Sequence, residues 1–340
     1  MTLSSGPQPG TILNPPEQSW WLQVRDALPR AAGVLLFAIL VGGVAWRYDH
    51  FFSVGTFCDM LGDNSFLGIV GVGMTLVLLT GGIDLSVGSV LALSTVLLTK
   101  MMMQWHWGFA QAAVCTLGVG GAIGLASGVM IHYAKLKPFL VTLAAMFLAR
   151  GLAYLFSIET ESIDEPLHNR LRSIHVDLTD ADSLGVPAML LVTVVLAAWY
   201  LCARTSMGRN LYAIGGNEDS ALLMGAPVAR TKIAAYTLSG LCAALGGIVM
   251  TLYSPTSDPS AGMGMELDAI AAAVIGGAML TGGVGSVVGT VMGVLSIGLI
   301  SSIVKNYEGL SPGLSRIVIG TLLLGFVCLQ RLLSGSRDPA

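Results

Sequence analysis

Ten apolar runs divide this chain, at about 31–47, 64–80, 85–103, 109–134, 138–157, 185–203, 232–252, 266–281, 285–304 and 313–332. Most are long enough to cross the roughly 30 Å hydrocarbon layer of a bilayer as a helix. Only 11% of residues are charged, 54% are hydrophobic and the mean hydropathy is +0.76. Soluble domains carry about 25% charged residues. In lipid the backbone must satisfy itself, and runs of this length do so as helices. The expected fold is therefore an all-α integral membrane protein with about ten transmembrane helices. The runs at 266–281 and before the glycines at 81–82 are short, and half-helices are expected there.

Within these runs one phrase occurs twice. Leu79-Thr80-Gly81-Gly82-Ile83 aligns with Leu280-Thr281-Gly282-Gly283-Val284 at a constant offset of 201, and the register continues to Val90 and Val291. Seven of the twelve aligned positions are identical. A duplicated broken helix is characteristic of transport folds, with the pathway near the repeat interface. Both copies follow a span running inward, which makes the repeat parallel; an inverted repeat would require one span to be miscounted. The counterpart of Asp84 is Gly285, so the glycine break recurs and the charge does not.

Basic residues sort unevenly between the two sides of such a bundle. With both ends inside, Arg25, Arg30, Lys135, Lys137, Arg204, Arg209, Arg230, Lys232, Arg331 and Arg337 fall inside. Arg47, Lys100, Arg170, Arg172 and Lys305 fall outside, and Arg150 and Arg316 lie within spans. That excess favours cytoplasmic N- and C-termini. Residues 1–27 read as a cytoplasmic tail with an interfacial anchor at Trp20-Trp21, residues 28–332 as the transmembrane domain and 333–340 as a cytoplasmic tail. Met1–Pro16 has no Lys or Arg and is rich in Pro, Ser and Gly, which is unlike a secretory signal.

Two segments do not span. The loop at 158–184 is expected outside and carries seven acidic residues, a pattern suited either to a solvated loop or to a docking surface for a soluble partner. The loop at 204–232 is expected inside. In it Asn217 can cap a short helix through Glu218, Asp219, Ala221, Leu222 and Met224 that stops at Gly225. Its apolar residues have no evident bilayer to enter, so it reads as a docking element for another subunit, or else as a helix folded on its own bundle.

No catalytic constellation is present. The chain has no GxxxxGK[ST], no GxGxxG and no HExxH. Its five cysteines and five histidines are scattered, which leaves no metal framework. The chain is thus expected not to be an enzyme. Glycines recur every four residues at Gly120, Gly124 and Gly128 and at Gly285, Gly289 and Gly293, as helix crossings require. Candidate pathway residues are the polar or small ones in or beside spans: Asp63, Asn64, Gly81, Gly82, Asp84, Ser86, Glu266, Asp268, Thr281, Gly282 and Gly283. Asp84 reads either as a cap for the helix beginning at Leu85 or as a gating charge paired with Arg150 or the second repeat. Asp63-Asn64 and Glu266/Asp268 occupy corresponding places at an outer mouth.

GGIDLSVGS at Gly81–Ser89, AIGGNEDSALLMG at Ala213–Gly225 and VIGGAMLTGGVGSVVGT at Val274–Thr290 together resemble the membrane permease of bacterial ABC-type monosaccharide importers. That is the ribose, xylose, arabinose and galactofuranose group, and the resemblance runs from about Asp63 to the C-terminus. DNSFLGI at Asp63–Ile69, MELDAI at Met265–Ile270 and LQR at Leu329–Arg331 are most similar to a galactofuranose importer permease, although the N-terminal tail is longer and richer in Pro. The resemblance implies an inner-membrane location, a second permease subunit, an extracytoplasmic sugar-binding protein and an ABC ATPase. The ATPase would hold ATP and Mg, dock on Gly215, Gly216, Asn217, Glu218, Ala221, Leu222, Met224 and Gly225, and drive the bundle through the helix at Asn217–Met224. No cofactor or nucleic acid is expected on this chain. A proton-coupled secondary transporter using Asp84, Glu266 or Asp268 is the alternative reading.

Overall fold

The computed structural model describes residues 20–47, 53–177, 183–306 and 312–334. Of the expected tails at 1–27 and 333–340, residues 1–19 and 335–340 lie outside what is described, as do Asp180, Asp182 and the side chains of Trp20 and Trp21.

The chain begins with α1 (Trp20–Arg47), α2 (Val54–Asp63), α3 (Ser65–Leu79), α4 (Val87–Met103), α5 (Phe109–Tyr133) and α6 (Pro138–Phe156). After β1 (Glu161–Ser162) come α7 (Pro166–Ser173), β2 (His175–Asp177), β3 (Ser183–Gly185) and α8 (Val186–Arg204). Then follow α9 (Ser206–Gly216), α10 (Glu218–Leu223), α11 (Val228–Tyr253) and β4 (Thr256–Ser257). The last helices are α12 (Met265–Ile275), α13 (Val287–Asn306) and α14 (Pro312–Ser334).

Helices α3 and α4 form the centre. Their sequences, SFLGIVGVGMTLVLL and VGSVLALSTVLLTKMMM, are apolar or small on every face, and nearly every residue is buried. Around them α5, α6 and α8 point large apolar side chains outward, among them Val114, Phe147, Leu155 and Leu196. That inverted surface is what a lipid solvent requires. The glycine ladders make close crossings. Gly120, Gly124 and Gly128 lie on the backbone of α11 at Gly240, Tyr236 and Ile233, while Gly289 and Gly293 lie on α12 at Gly276 and Ala272.

By length and composition, α5, α6, α8 and α11 can each cross a membrane alone among the described residues. Helices α2 and α3 meet the same test only as a pair, bent by 61° at Asn64, which suits a broken span or a re-entrant loop. The other apolar stretches among the described residues, Gly33–Trp46, Val87–Met103, Val287–Ile303 and Arg316–Cys328, are shorter, so the expectation of about ten spans is met only in part. The run at 266–281 is an 11-residue helix followed by a turn, as a half-helix there requires.

The bundle has two distinct ends. One carries α9 and α10. At the other, the described part of the loop, 158–177 and 183–184, is folded down rather than loose. Glu161 pairs with Lys100 of α4 and accepts from Ser157 Oγ at 3.0 Å, while the Ile163 amide donates to the Pro255 carbonyl at 2.9 Å. Strands β1 and β4 pair antiparallel, as do β2 and β3. Glu165 caps α7 by accepting from the His168 amide at 2.6 Å, and Arg172 Nε donates to the Leu252 carbonyl at 3.1 Å.

Candidate functional site

The two copies of the repeated phrase meet. The Gly283 amide donates to the Leu79 carbonyl at 3.1 Å. A Cβ on Gly81 would stand 3.2 Å from the Thr281 carbonyl oxygen, and one on Gly282 only 2.7 Å from the Gly81 nitrogen. Gly282 has φ +90 and Gly283 φ +73, so a side chain at either would be strained as well as crowded. Helices α3 and α12 lead into these corners and α4 and α13 lead away. The corners lie side by side, and from the second of them α13 runs back antiparallel along α3, with Thr290 beside Gly71 and Gly298 beside Asn64. Higher up, the Thr75 and Thr290 hydroxyls meet at 2.6 Å and tie α3 to α13.

Asp84 secures the first corner. Its Oδ1 accepts from the Ser86 amide at 3.0 Å and Ser86 Oγ at 2.6 Å, and its Oδ2 accepts from Ser239 Oγ of α11 at 2.8 Å. The residue is 1% exposed. Three donors offset much of the cost of burying a carboxylate. Helix α4 begins at Val87 rather than Leu85, with Ser86 at the cap position and no side-chain cap bond. Asp84 therefore fastens the turn before the helix and does not cap it. Neither Arg150 nor the second repeat is its hydrogen-bond partner.

The expected outer-mouth residues separate into two places. Asp63 accepts from Tyr253 Oη at 2.9 Å, and Asn64 sits at the α2–α3 bend against Gly298 of α13. Glu266 and Asp268 lie instead where residues 254–264, mostly irregular, run from β4 to the start of α12 beside α4. There Arg150 Nη1 of α6 donates to the carbonyls of Pro259 at 2.7 Å and Ala261 at 2.8 Å. Glu266 and Asp258 are carboxylates whose charges act on Arg150, and Arg316 acts on Asp268. Glu266 Oε2 is buried against Gly88 and has no hydrogen-bond partner among the described residues. Irregular backbone at this depth is tolerated where protein or a water-filled cavity surrounds it. Sequence reasoning noted Arg150 and Arg316 as charges within spans but gave them no shared site, because the bend that joins them has no motif.

The loop at 204–232 contains two helices. Asn217 Oδ1 accepts from the Ser220 amide at 2.7 Å, the expected cap, and Gly225 ends α10 with φ +82. Glu218 pairs with Lys232 at 2.5 Å. Leu222, Leu223 and Met224 are exposed, at 60%, 88% and 76%. Ala221 is not part of that surface: it is buried with Ile214 and Val228 inside the loop. Gly215 turns inward as well and is wedged against the Leu79 carbonyl and the Gly283 amide. Tyr212 Oη donates to the Gly285 carbonyl at 2.9 Å. An open cavity of about 660 Å³ lies between α9, α10 and α11, with Arg209 and Arg230 among its lining residues. Sequence reasoning missed α9 as an element. Thr205, whose hydroxyl accepts from the Gly208 amide at 3.3 Å, is the cap that marks its start.

Known proteins bear on this geometry. This chain is 43% identical to the inner membrane ABC transporter permease protein YjfF of Escherichia coli K12, over 84% of this chain and 86% of that one. It is 36% identical to the fructose import permease protein FruG of Bifidobacterium longum, over 90% and 92%. It is 35% identical to the ribose import permease protein RbsC of Escherichia coli K12, over 89% and 92%. No solved structure matches. A family described as the permease component of the branched-chain amino acid transport system matches residues 56–327, and the chain belongs to this permease family.

Proposed function

We propose that this chain is a permease subunit of an ATP-binding-cassette importer that carries a monosaccharide across a bacterial inner membrane. The observation that carries the reading is the loop at 204–232, which exposes an apolar tip at Leu222–Met224 and packs its other side on the paired corners. A separate ATPase docks on that tip and supplies ATP and Mg. Relatives named for fructose import, ribose import and D-allose transport support a monosaccharide cargo. They give galactofuranose no support, and the reading stops at the sugar class.

Ten passes with both termini cytoplasmic fit this role. Helices begin and end alternately beside α9 and beside α7, as in α6, α8 and α11. The shorter helices then cross with the help of the irregular segment at 254–264. The sugar-binding protein docks at the end carrying α7 and the folded loop at 158–184. The sugar passes the bend where Glu266, Asp268, Arg150 and Arg316 gather, because hydroxyls are well served by carboxylates and guanidinium groups. Exposed Met263 and Leu267 share that region with Arg316. A charge at such depth belongs in a bundle interior or cavity rather than lipid, so a second permease subunit covers this face. The proton-coupled alternative is not favoured: both Asp84 oxygens are occupied by serine donors, and the named relatives are ABC or sugar import permeases.

The test is uptake of labelled ribose, fructose and allose into vesicles holding the chain with its ATPase and binding protein. Accumulation of one of them that needs ATP is expected. Uptake of an amino acid and of no sugar would overturn the cargo class.

A further inference from the structure

We propose that α9, rather than the docking helix α10, is the joint through which the ATPase moves both repeat corners as one body, with Tyr212 and Gly215 as its positioning residues. The proposal rests on the importer reading above and adds where force enters the bundle.

Four contacts argue for it. Leu211 of α9 packs in one apolar cluster with Leu76 and Leu79 of the first corner's helix. Gly215 lies against the Leu79 carbonyl on one side and the Gly283 amide on the other. Tyr212 Oη holds the Gly285 carbonyl of the second corner at 2.9 Å. The corners are themselves joined by the bond from Gly283 to Leu79 at 3.1 Å. Helix α9 therefore grips both copies at once. Two of these contacts, at Gly215 and between Gly283 and Leu79, are backbone on backbone, with no side chain between to absorb a shift, and close-packed contacts transmit strain. Helix α10, by contrast, is mostly exposed and reaches the bundle through its ion pair to Lys232 and through Ala221. A tip that meets the partner and a root that meets both hinges make a lever. For the lever to couple, the partner must stabilise α9 differently in the two states of the bundle.

The experiment uses the whole importer in vesicles and compares wild type with Tyr212→Phe and Gly215→Ala. Three quantities are read: ATPase subunit retained on purification, ATP hydrolysis stimulated by the loaded binding protein, and sugar taken up per ATP hydrolysed. Tyr212→Phe removes only a hydroxyl and keeps the ring in its apolar cluster. The expected result is normal retention of the ATPase, hydrolysis within about twofold of wild type, and sugar per ATP reduced about fivefold, the scale of one net hydrogen bond. Gly215→Ala is expected to reduce the ratio further. If it fails to assemble, Tyr212→Phe decides alone. An unchanged ratio in Tyr212→Phe, or loss of the ATPase subunit from it, would overturn the lever. Absence of ATP-driven uptake in the wild-type importer would instead overturn the importer reading.

Discussion

The Gly283 amide donates to the Leu79 carbonyl across 3.1 Å, joining two corners that lie 204 positions apart in the chain. Each belongs to one copy of the same phrase, so the repeat interface is a backbone contact between glycine turns. The helices entering and leaving the corners are tied to the rest of the bundle by a few buried polar groups, and those groups are where substitutions should tell.

Asp84→Ala leaves the Ser86 amide, Ser86 Oγ and Ser239 Oγ without their acceptor in a dry interior. A loss of about 3 kcal/mol is expected, since a buried donor left unpaired costs about 1–3 kcal/mol. Ser239→Ala removes one donor and should cost about 1 kcal/mol. Thermal unfolding in detergent measures both, and the double variant should lose no more than Asp84→Ala alone. Additive losses would mean that the two residues do not act together.

A Cβ on Gly88 would collide with Glu266 Oε2 and would stand 2.5 Å from the Gly262 carbonyl oxygen. Gly88→Ala should therefore destabilise by about 2 kcal/mol, in the range for overpacking. Gly118 of α5 has open space beside it. Gly118→Ala should stabilise by about 0.5 kcal/mol, because alanine suits a helix interior better than glycine. Equal effects at the two sites would contradict the close approach of α4 and residues 262–266.

Glu218→Arg sets a second cation beside Lys232 and breaks the 2.5 Å pair that holds α10 to α11. The bundle should keep its melting temperature, since the pair is at the surface and exposed pairs contribute about 1 kcal/mol or less. Retention of the ATPase subunit should fall at least about tenfold, on the scale of an interface charge reversal. Normal co-purification would remove the docking role of α10.

His168 gives the outer end a pH dependence. Its ring is buried against Phe109, with centroids 5.7 Å apart. Burial first, and then the Arg172 charge, hold its pKa below the ordinary 6.5, against opposing pulls from Glu165, Asn169 and the Thr251 backbone. The unfolded chain thus takes up the proton at a higher pH than the folded one. Stability is unaffected above about pH 6.5 and declines as pH falls from there to the folded pKa, then levels off. His168→Phe should remove that slope. The melting temperature of the variant relative to wild type should be higher at pH 5.5 than at pH 7.5, and a constant difference would contradict the burial argument.

Much of this architecture was legible in the chain. Periodicity was not needed, because uninterrupted apolar runs locate α5, α6, α8 and α11 directly, and Asn217 and Gly225 bracket α10 by cap chemistry. The repeat at Leu79 and Leu280 also identified the corners. What the sequence could not supply was adjacency. Nothing in GGIDLSVGS says that Asp84 bonds Ser239, 155 positions away, rather than an arginine. Gly215 resembled a loop glycine exposed to a partner, yet it is the closest approach of α9 to both corners. Ala221 looked like docking surface because its neighbours Leu222 and Met224 are; helical phase turns it into the loop's own small core. Arg150 and Glu266 were visible as intramembrane charges, and the Pro-, Ser- and Gly-rich composition of 254–264 marks a loop, but nothing in it says which charges that loop gathers.

The central claim is that energy reaches this bundle from a separate ATPase. It is tested most directly by uptake into vesicles containing the whole importer and the loaded sugar-binding protein, with two energy sources applied in turn. ATP supplied to the ATPase without an ion gradient should drive accumulation of the monosaccharide, and an imposed pH gradient without ATP should drive none. Accumulation driven by the pH gradient alone would contradict the account.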